Sequence, residues 1–274
     1  MAGGEIKASG EGSGVLPATP RWRAPAKNPT LSPGEVHVWR ANLDQPKDFL
    51  NDKLCGLLSE DERIQARRMP FEEHRDRFVA GTAIRRAVLS RYASVDPRFL
   101  EFGYGIHGKP RIKAGLGADG LRFNVSHSVN LALFAVALER EVGIDVERLR
   151  PVIEQEKIVE RHFSADEKNS YRLLPPSRRR KAFFVAWTRK EAYMKAAGVG
   201  LSEAFDHPEV ILPLDSHHNP RKVGTVELSG SWSLFEFEPE DEFVAAVVVE
   251  GLPCRFRFWD WSRKAMAEPG SFGL

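Results

Sequence analysis

The chain has 274 residues with 40 basic and 38 acidic side chains, so its formal net charge at pH 7 is only +2. A charge this close to zero argues against a protein whose main task is to coat nucleic acid. Because 42% of the residues are hydrophobic and 28% are charged, the chain is expected to bury a globular core. Its length suits two domains of moderate size and a tail.

The cysteine content and the lengths of the apolar runs indicate the cellular compartment in which the protein is found. Cys55 and Cys254 are too few and too far apart for a disulfide framework or a zinc site. The longest apolar runs, over residues 131–138 and 243–249, are too short to span a bilayer, and no signal sequence precedes the fold. We therefore expect a cytoplasmic protein that has no membrane partner.

The first 33 residues are rich in Gly, Ala, Ser and Pro, which predicts a flexible tail. The alternating sequence EVHVWRANL then predicts a first strand. Two helices follow, over residues 49–69 and 71–92. Three consecutive strands are predicted over residues 121–127, 131–138 and 142–147.

The later part of the chain alternates between helix and strand signals. A helix is predicted over residues 152–163, and Ser164 with Glu167 has the Ser-x-x-Glu form of a capping box that opens another. A long helix over residues 183–197 ends at a Gly-Val-Gly sequence. The clearest strands beyond it are at residues 232–237 and 243–249.

The two long helices carry a short repeat. FVAGTAIRRAV begins at Phe78 and FVAWTRKEAYM begins at Phe184, and both contain FVAxT. The repeat predicts an α+β fold in which two similar halves are related by a pseudo-twofold axis. We place the halves at residues 34–141 and 142–274, after a tail over residues 1–33. In this alignment Arg85 of the first helix stands where the second has Glu191.

Acidic and basic side chains concentrate in two segments of the second half. Asp145 and Glu147 alternate with apolar residues in GIDVE, so a strand would place both carboxylates on one face. A divalent cation would relieve their repulsion, although an exposed strand end is an alternative. Glu191 and Lys195 are four residues apart, which fits either a surface salt bridge or a paired functional role.

Two further segments offer phosphate contacts. His127 lies between two serines in FNVSHS and could donate hydrogen bonds to a phosphate, with Ser126 assisting. Lys109 lies in a Gly-Lys-Pro loop and is a second candidate. The alternatives are a structural histidine and a solvated lysine. Many arginines of the 67–91 segment are expected to form a solvated face.

The segments FNVSHS, GIDVE and WTRKEAYMKAAG, in this order and spacing, resemble the 4′-phosphopantetheinyl transferase superfamily, in particular its double-length, monomeric Sfp-like type. The resemblance spans residues 67–201 and implies that Asp145, Glu147 and Glu191 bind Mg²⁺. It places coenzyme A in the cleft between the halves. The phosphates of coenzyme A would contact residues on both sides of that cleft, namely Arg77, Arg86, Lys109, Ser126, His127 and Lys195.

The resemblance implies transfer of the 4′-phosphopantetheine arm of coenzyme A to a serine of an acidic acyl- or peptidyl-carrier protein, with release of 3′,5′-ADP. Glu191 would accept the serine proton and Lys195 would assist the leaving group. The basic run at residues 178–181 and the arginines near residues 67–86 are candidates for carrier docking. Two alternatives stay open: a catalytically silent module that binds coenzyme A or a carrier, and a Mg²⁺-dependent phosphodiester hydrolase.

Overall fold

The structure is a computed structural model that describes residues 6–7, 19–25, 29–105, 107–199, 226–228, 232–251 and 255–261. These residues form eleven strands and six α-helices, which confirms the α+β class. The strands are β1 (Ile6–Lys7), β2 (Glu35–Asn42), β3 (Phe102–Tyr104), β4 (Pro110–Ile112), β5 (Leu121–Ser128), β6 (Leu131–Leu138), β7 (Val142–Arg148), β8 (Val226–Leu228), β9 (Trp232–Phe237), β10 (Phe243–Glu250) and β11 (Arg255–Asp260). The helices are α1 (Lys47–Phe49), α2 (Glu60–Arg67), α3 (Glu72–Ala93), α4 (Gln155–His162), α5 (Ala165–Leu173) and α6 (Pro176–Ala197).

The strands build two main sheets with a repeated connectivity. One sheet has the order β1-β11-β2-β6-β5 and the other has the order β7-β10-β9-β8, while β3 and β4 form a small hairpin. In each main sheet the first strand of a half, β2 or β7, pairs antiparallel with the later strand of a β5–β6 or β9–β10 hairpin. This repetition agrees with the two similar halves that the FVAxT repeat predicts. Strand β11 lies outside it, because it runs parallel beside β2 in the first sheet.

Alternate residues of each strand face different cores. In β6, Leu133 and Ala135 are buried between the two sheets together with Val146 of β7. Phe134, between them in the sequence, packs instead with Ile84 of α3. The apolar run of β6 is therefore buried on both faces, by a sheet on one side and a helix on the other. Helix α6 covers the outer face of the second sheet in the same way.

The short helices before α3 and α6 begin alike. Ser59 caps α2 and Ser164 caps α5, and in each case the glutamate three residues on bonds back to the serine N–H. The capping box at Ser164 is thus confirmed. The helix predicted over residues 49–69 is not continuous: π and 3₁₀ turns lead to an extended residue, Leu58, before α2. Ser59 needs extended backbone angles to cap α2, so a helix cannot run through it.

Part of the segment that precedes residue 34 packs on the sheets. The indole N–H of Trp22 donates to the carbonyl of Pro239 at 3.0 Å, and its ring meets Phe258 edge-on at 5.3 Å. Arg23 forms a parallel bridge with Trp259. The predicted domain boundaries, at residues 33/34 and 141/142, stay predictions. Within the described part of the chain, no helix has the length and apolarity that a membrane span requires.

Candidate active site

Strand β7 presents its two acidic side chains to helix α6. Ile144 and Val146 are buried between the sheets, so Asp145 and Glu147 project from the opposite face. The cross-strand neighbour of Asp145 is Ala246, which belongs to the core under α6. The carboxylates therefore lie on one face, as the alternation in GIDVE predicts, and that face is the one covered by the long helix.

Gly143 allows α6 to lie directly on β7. A β-carbon at Gly143 would be 2.0 Å from the carbonyl oxygen of Ala192 and 2.3 Å from the backbone nitrogen of Ala196. Because no side chain fits in that space, only glycine permits this approach. Glu191 and Lys195 immediately precede the two helix residues in contact, so the close approach brings both beside the strand.

Asp145 lies at the centre of the site and is only 5% exposed. Its Oδ1 accepts a hydrogen bond from Ser126 Oγ at 2.7 Å and pairs with Lys195 Nζ at 2.6 Å. Its Oδ2 is buried and has no hydrogen-bond partner among the residues that the structure describes. A buried carboxylate oxygen in this condition is destabilising until a cation or a donor satisfies it. Oδ2 is thus suited to act as a ligand.

Burial raises the pKa of all three acidic groups of the site. Burial raises the pKa of Asp145, although the charge of Lys195 opposes the shift. Burial is also the main reason that the pKa values of Glu147 and Glu191 are raised, and the charge of Asp145 raises both further. The groups are therefore near enough to repel, and a bound cation would relieve that repulsion.

The donor set suits a hard divalent cation. Mg²⁺ prefers oxygen ligands and usually combines one or two carboxylates with phosphate oxygens and water. Asp145, Glu147 and Glu191 offer such oxygens. Among the described residues, no group of three acidic, histidine or cysteine side chains is arranged so that it could hold a metal ion. The chemistry of these residues suits Mg²⁺, which would need further oxygens from phosphate or water to complete its coordination.

A cavity of about 780 Å³ reaches one of the three carboxylates, that of Glu147. Glu147 lines it on the side of the second sheet, and residues of α3 line the opposite side. A volume of this size suits a cofactor-sized ligand. Its charged lining is mostly basic, which suits phosphate groups. The basic residues are His74, Arg77, Arg85, His127 and Arg150.

Comparison with known proteins identifies the family. A family model described as the 4′-phosphopantetheinyl transferase superfamily matches residues 141–248, which include β7 and α6. The 4′-phosphopantetheinyl transferase HetI of Nostoc sp. strain PCC 7120 is 41% identical over 240 residues, which cover 88% of this chain and 98% of HetI. This chain belongs to the 4′-phosphopantetheinyl transferase superfamily.

Relatives from Bacillus support the predicted type of transferase. A 4′-phosphopantetheinyl transferase of Bacillus subtilis is 31% identical over 208 residues, or 73% of this chain and 90% of the relative. Sfp of Bacillus subtilis strain 168 is 26% identical over a match of the same extent. The predicted membership in the Sfp-like type, and the prediction that the chain is an enzyme of this class, are both confirmed.

Two predicted phosphate contacts of the transferase line the cavity. Arg77 is oriented by acidic neighbours, since its Nε donates to Asp44 at 2.7 Å and its Nη1 pairs with Glu73 at 2.7 Å. Burial lowers the pKa of His127, and the charge of Lys195 acts in the same direction. His127 is therefore neutral at pH 7 and offers one N–H donor to a ligand.

Two other predicted contacts are engaged inside the fold. Arg86 is 2% exposed, and it pairs with Glu62 at 2.7 Å and donates to two backbone carbonyls. Lys109 Nζ pairs with Glu141 at 2.7 Å and donates to the carbonyl of Ala196 at 3.0 Å, so it ties its loop to the end of α6. Neither belongs to the lining of the cavity. Their contacts with coenzyme A stay predictions.

Three polar residues of the site were missed from the sequence. Ser128 accompanies Ser126 on one face of β5, a pairing that the period of two would have shown. His74 is one turn before Arg77 on α3, where the helical period would have placed it on the same side. Arg150 follows β7, and only its proximity in sequence to Glu147 could have indicated it.

Proposed function

We propose that this transferase moves the 4′-phosphopantetheine arm of coenzyme A to a serine hydroxyl of an apo acyl- or peptidyl-carrier protein, in a Mg²⁺-dependent reaction that releases 3′,5′-ADP. The observation that carries the proposal is that Glu147 belongs both to the lining of the cavity and to the acidic cluster. It lines the basic cavity, and its pKa responds to the charge of Asp145 in the acidic cluster. A diphosphate in the cavity would therefore meet basic side chains and metal-binding oxygens together.

The acidic cluster provides the metal ligands in this proposal. Asp145, Glu147 and Glu191 would hold Mg²⁺, and the bound ion would act as a Lewis acid on the phosphate oxygens of coenzyme A. The arrangement separates two tasks. Carboxylates bind the cation, while cavity residues such as Arg77 and His127 bind the anionic substrate and orient it.

Glu191 is the base of the proposed reaction. Its carboxylate would accept the proton of the carrier serine, directly or through water. The serine oxygen bonds to the phosphorus that carries the pantetheine arm, and the bond from that phosphorus to the bridging oxygen breaks. The electron pair leaves with 3′,5′-ADP, whose developing charge the ammonium of Lys195 stabilises.

We propose that an acidic carrier protein docks on the basic run Arg178, Arg179, Arg180 and Lys181. Arg178 and Arg180 are exposed. Arg179 donates to the carbonyl of Leu174 at 3.1 Å, and Lys181 pairs with Glu238 at 2.7 Å, so these two also support the fold. Because one chain supplies both the acidic cluster and the cavity, we further propose that the transferase acts as a monomer.

Intact-mass spectrometry of an apo carrier domain tests the proposal directly. The carrier is incubated with the protein, coenzyme A and Mg²⁺, and it is expected to gain one phosphopantetheine group. EDTA should stop the reaction, and added Mg²⁺ should restore it. An unchanged carrier with cleaved coenzyme A would support the hydrolase instead. An unchanged carrier with intact coenzyme A would indicate binding alone.

A further inference from the structure

Two edge strands meet at the acidic site and are joined by side chains. Strand β5 is the edge of the first sheet and β7 is the edge of the second. Three alternate side chains of β5 accept hydrogen bonds from the backbone N–H groups of β7, and we call these contacts the seam. They are Asn124 with Ile144 at 2.9 Å, Ser126 with Val146 at 3.3 Å and Ser128 with Arg148 at 3.1 Å.

Two of the three seam residues also hold a carboxylate. Ser126 Oγ donates to Asp145 Oδ1 at 2.7 Å, and Ser128 Oγ donates to Glu147 Oε2 at 2.9 Å. A hydroxyl has one proton, so each serine gives it to the carboxylate and accepts the backbone N–H with a lone pair. Each serine thereby occupies one oxygen of its carboxylate and directs the other oxygen away from the seam.

We propose that Ser126 and Ser128 are positioning residues, which set the orientation of Asp145 and Glu147 for metal binding. The inference rests on the proposed function, because it takes these two carboxylates as metal ligands. Ser128 is the sharper case, since Asp145 is also held by Lys195. Hydrogen bonds to metal-binding carboxylates commonly change metal affinity about 10- to 100-fold when they are removed.

The location of the serines supports this role. Both serines are buried, and Ser128 lines the cavity beside Glu147. If Glu147 turned away, the largely buried Ser128 would lose the carboxylate that accepts its hydroxyl proton at 2.9 Å, which is unfavourable. His127, between the serines in sequence, lines the cavity. One strand of the first half therefore positions a substrate-binding residue and the metal ligands of the second half.

The test is a titration with Mn²⁺, followed by electron paramagnetic resonance, with saturating coenzyme A and no carrier protein. Without a carrier no transfer occurs, so the measurement reports metal affinity alone. Ser128→Ala is expected to weaken Mn²⁺ binding about 10- to 100-fold, and Ser128→Thr, which keeps the hydroxyl, should recover most of the affinity. Asn124→Ala is the matched control, because it removes a seam bond that holds no carboxylate.

The outcomes distinguish the positioning role from the proposed function. If the wild-type protein binds no Mn²⁺, the metal site itself is wrong and the inference falls with it. If the wild-type protein and Ser128→Ala bind equally, only the positioning role is overturned. Equal losses in Ser128→Ala and Asn124→Ala would also overturn it, since both would then act through the seam. Should Ser128→Ala fail to fold, Ser128→Cys keeps the volume with a weak donor and is expected to lose affinity too.

Discussion

The two halves of the transferase share an arrangement of helices and strands but differ in the residues that line it. Helices α3 and α6 both have 22 residues, and each follows a short helix that starts with a capping box. In both halves the capping-box glutamate pairs with a buried cation of the long helix. The pairs are Glu62 with Arg86 at 2.7 Å and Glu167 with Lys190 at 2.9 Å.

The strand under each long helix shows the difference. Strand β2 places Trp39 against α3, and the indole N–H donates to the hydroxyl of Tyr92 at 2.7 Å. Strand β7 instead places Gly143, Asp145 and Glu147 against α6. The first interface is an aromatic core, and the second is an acidic site. A repeated fold thus fixes the positions, and the residue types at those positions decide which half carries the acidic cluster.

The largest expected effect comes from removing one charge of the acidic half. Glu191→Gln keeps the size of the side chain but removes the proposed base and a metal ligand, so carrier modification should fall by a factor of about 10²–10⁴ or more. Mass spectrometry of the carrier measures the rate. Glu160→Gln, on exposed α4, is the matched control and should keep the rate. A Glu191→Gln protein with near-full activity would remove Glu191 from the mechanism.

The next effect concerns how α6 lies on its strand. Gly143→Ala would put a methyl group within 2.0 Å of the carbonyl of Ala192, so α6 must shift, at a cost of about 3 kcal/mol or more of unfolding free energy. Urea unfolding measures the loss, and carrier modification should fall with it because Glu191 moves with the helix. The added methyl of Gly56→Ala meets nothing within 4 Å in the described part of the chain, so this variant is the control. Equal stability of the two variants would contradict the close contact.

Much of the fold follows from local signals. Strands β5, β6, β7, β9 and β10 match the predicted segments, because alternation and apolar runs are read within a few residues. The start of α5 follows from Ser164 and Glu167 alone. Nothing local indicates that β11 returns to the first sheet beside β2. That pairing depends on a surface which forms only when distant parts of the chain meet.

Some features of the site could likewise be predicted from the sequence, and others could not. The period of two predicts that Asp145 and Glu147 share a face, and the helical period predicts that Glu191 and Lys195 do. The partners of Lys109 could not be predicted, because a lysine in a Gly-Lys-Pro loop has the same sequence whether it meets solvent, a phosphate or Glu141. Ion pairs between distant residues depend on the assembled fold, so sequence patterns locate charges better than they locate their partners.

A pair of substitutions compares the buried ion pairs of the two halves. Glu167 and Lys190 are each 2% exposed, so Glu167→Gln removes the carboxylate charge from a buried ion pair and should lower the unfolding free energy by about 3 kcal/mol. Glu62→Gln should lower it by about 2 kcal/mol, because Glu62 is 13% exposed and Arg86 keeps its two backbone carbonyls. Glutamine preserves both capping boxes. Urea unfolding measures both losses, and a larger loss in Glu62→Gln would contradict this ranking.

The smallest expected effect is a pH dependence of the unfolding free energy, which comes from His37 in the first half. His37 is 1% exposed, and burial lowers its pKa to about 4, with the charge of Arg257 adding to the shift and that of Glu35 opposing it. The unfolded chain has a histidine pKa of about 6.5 and binds the proton more readily. Stability is therefore full above about pH 6.5 and declines toward pH 4, with a loss of about 2 kcal/mol between pH 7 and pH 5.

Urea unfolding of the wild-type protein and of His37→Gln at pH 7 and pH 5 measures this contribution. The raised pKa values of Asp145, Glu147 and Glu191 act in the opposite direction, since the metal-free folded protein binds their protons more readily than the unfolded chain. With His37 removed, the loss on acidification should shrink, because the acidic site then offsets more of what remains. An unchanged loss in His37→Gln would mean that the first half contributes no such dependence.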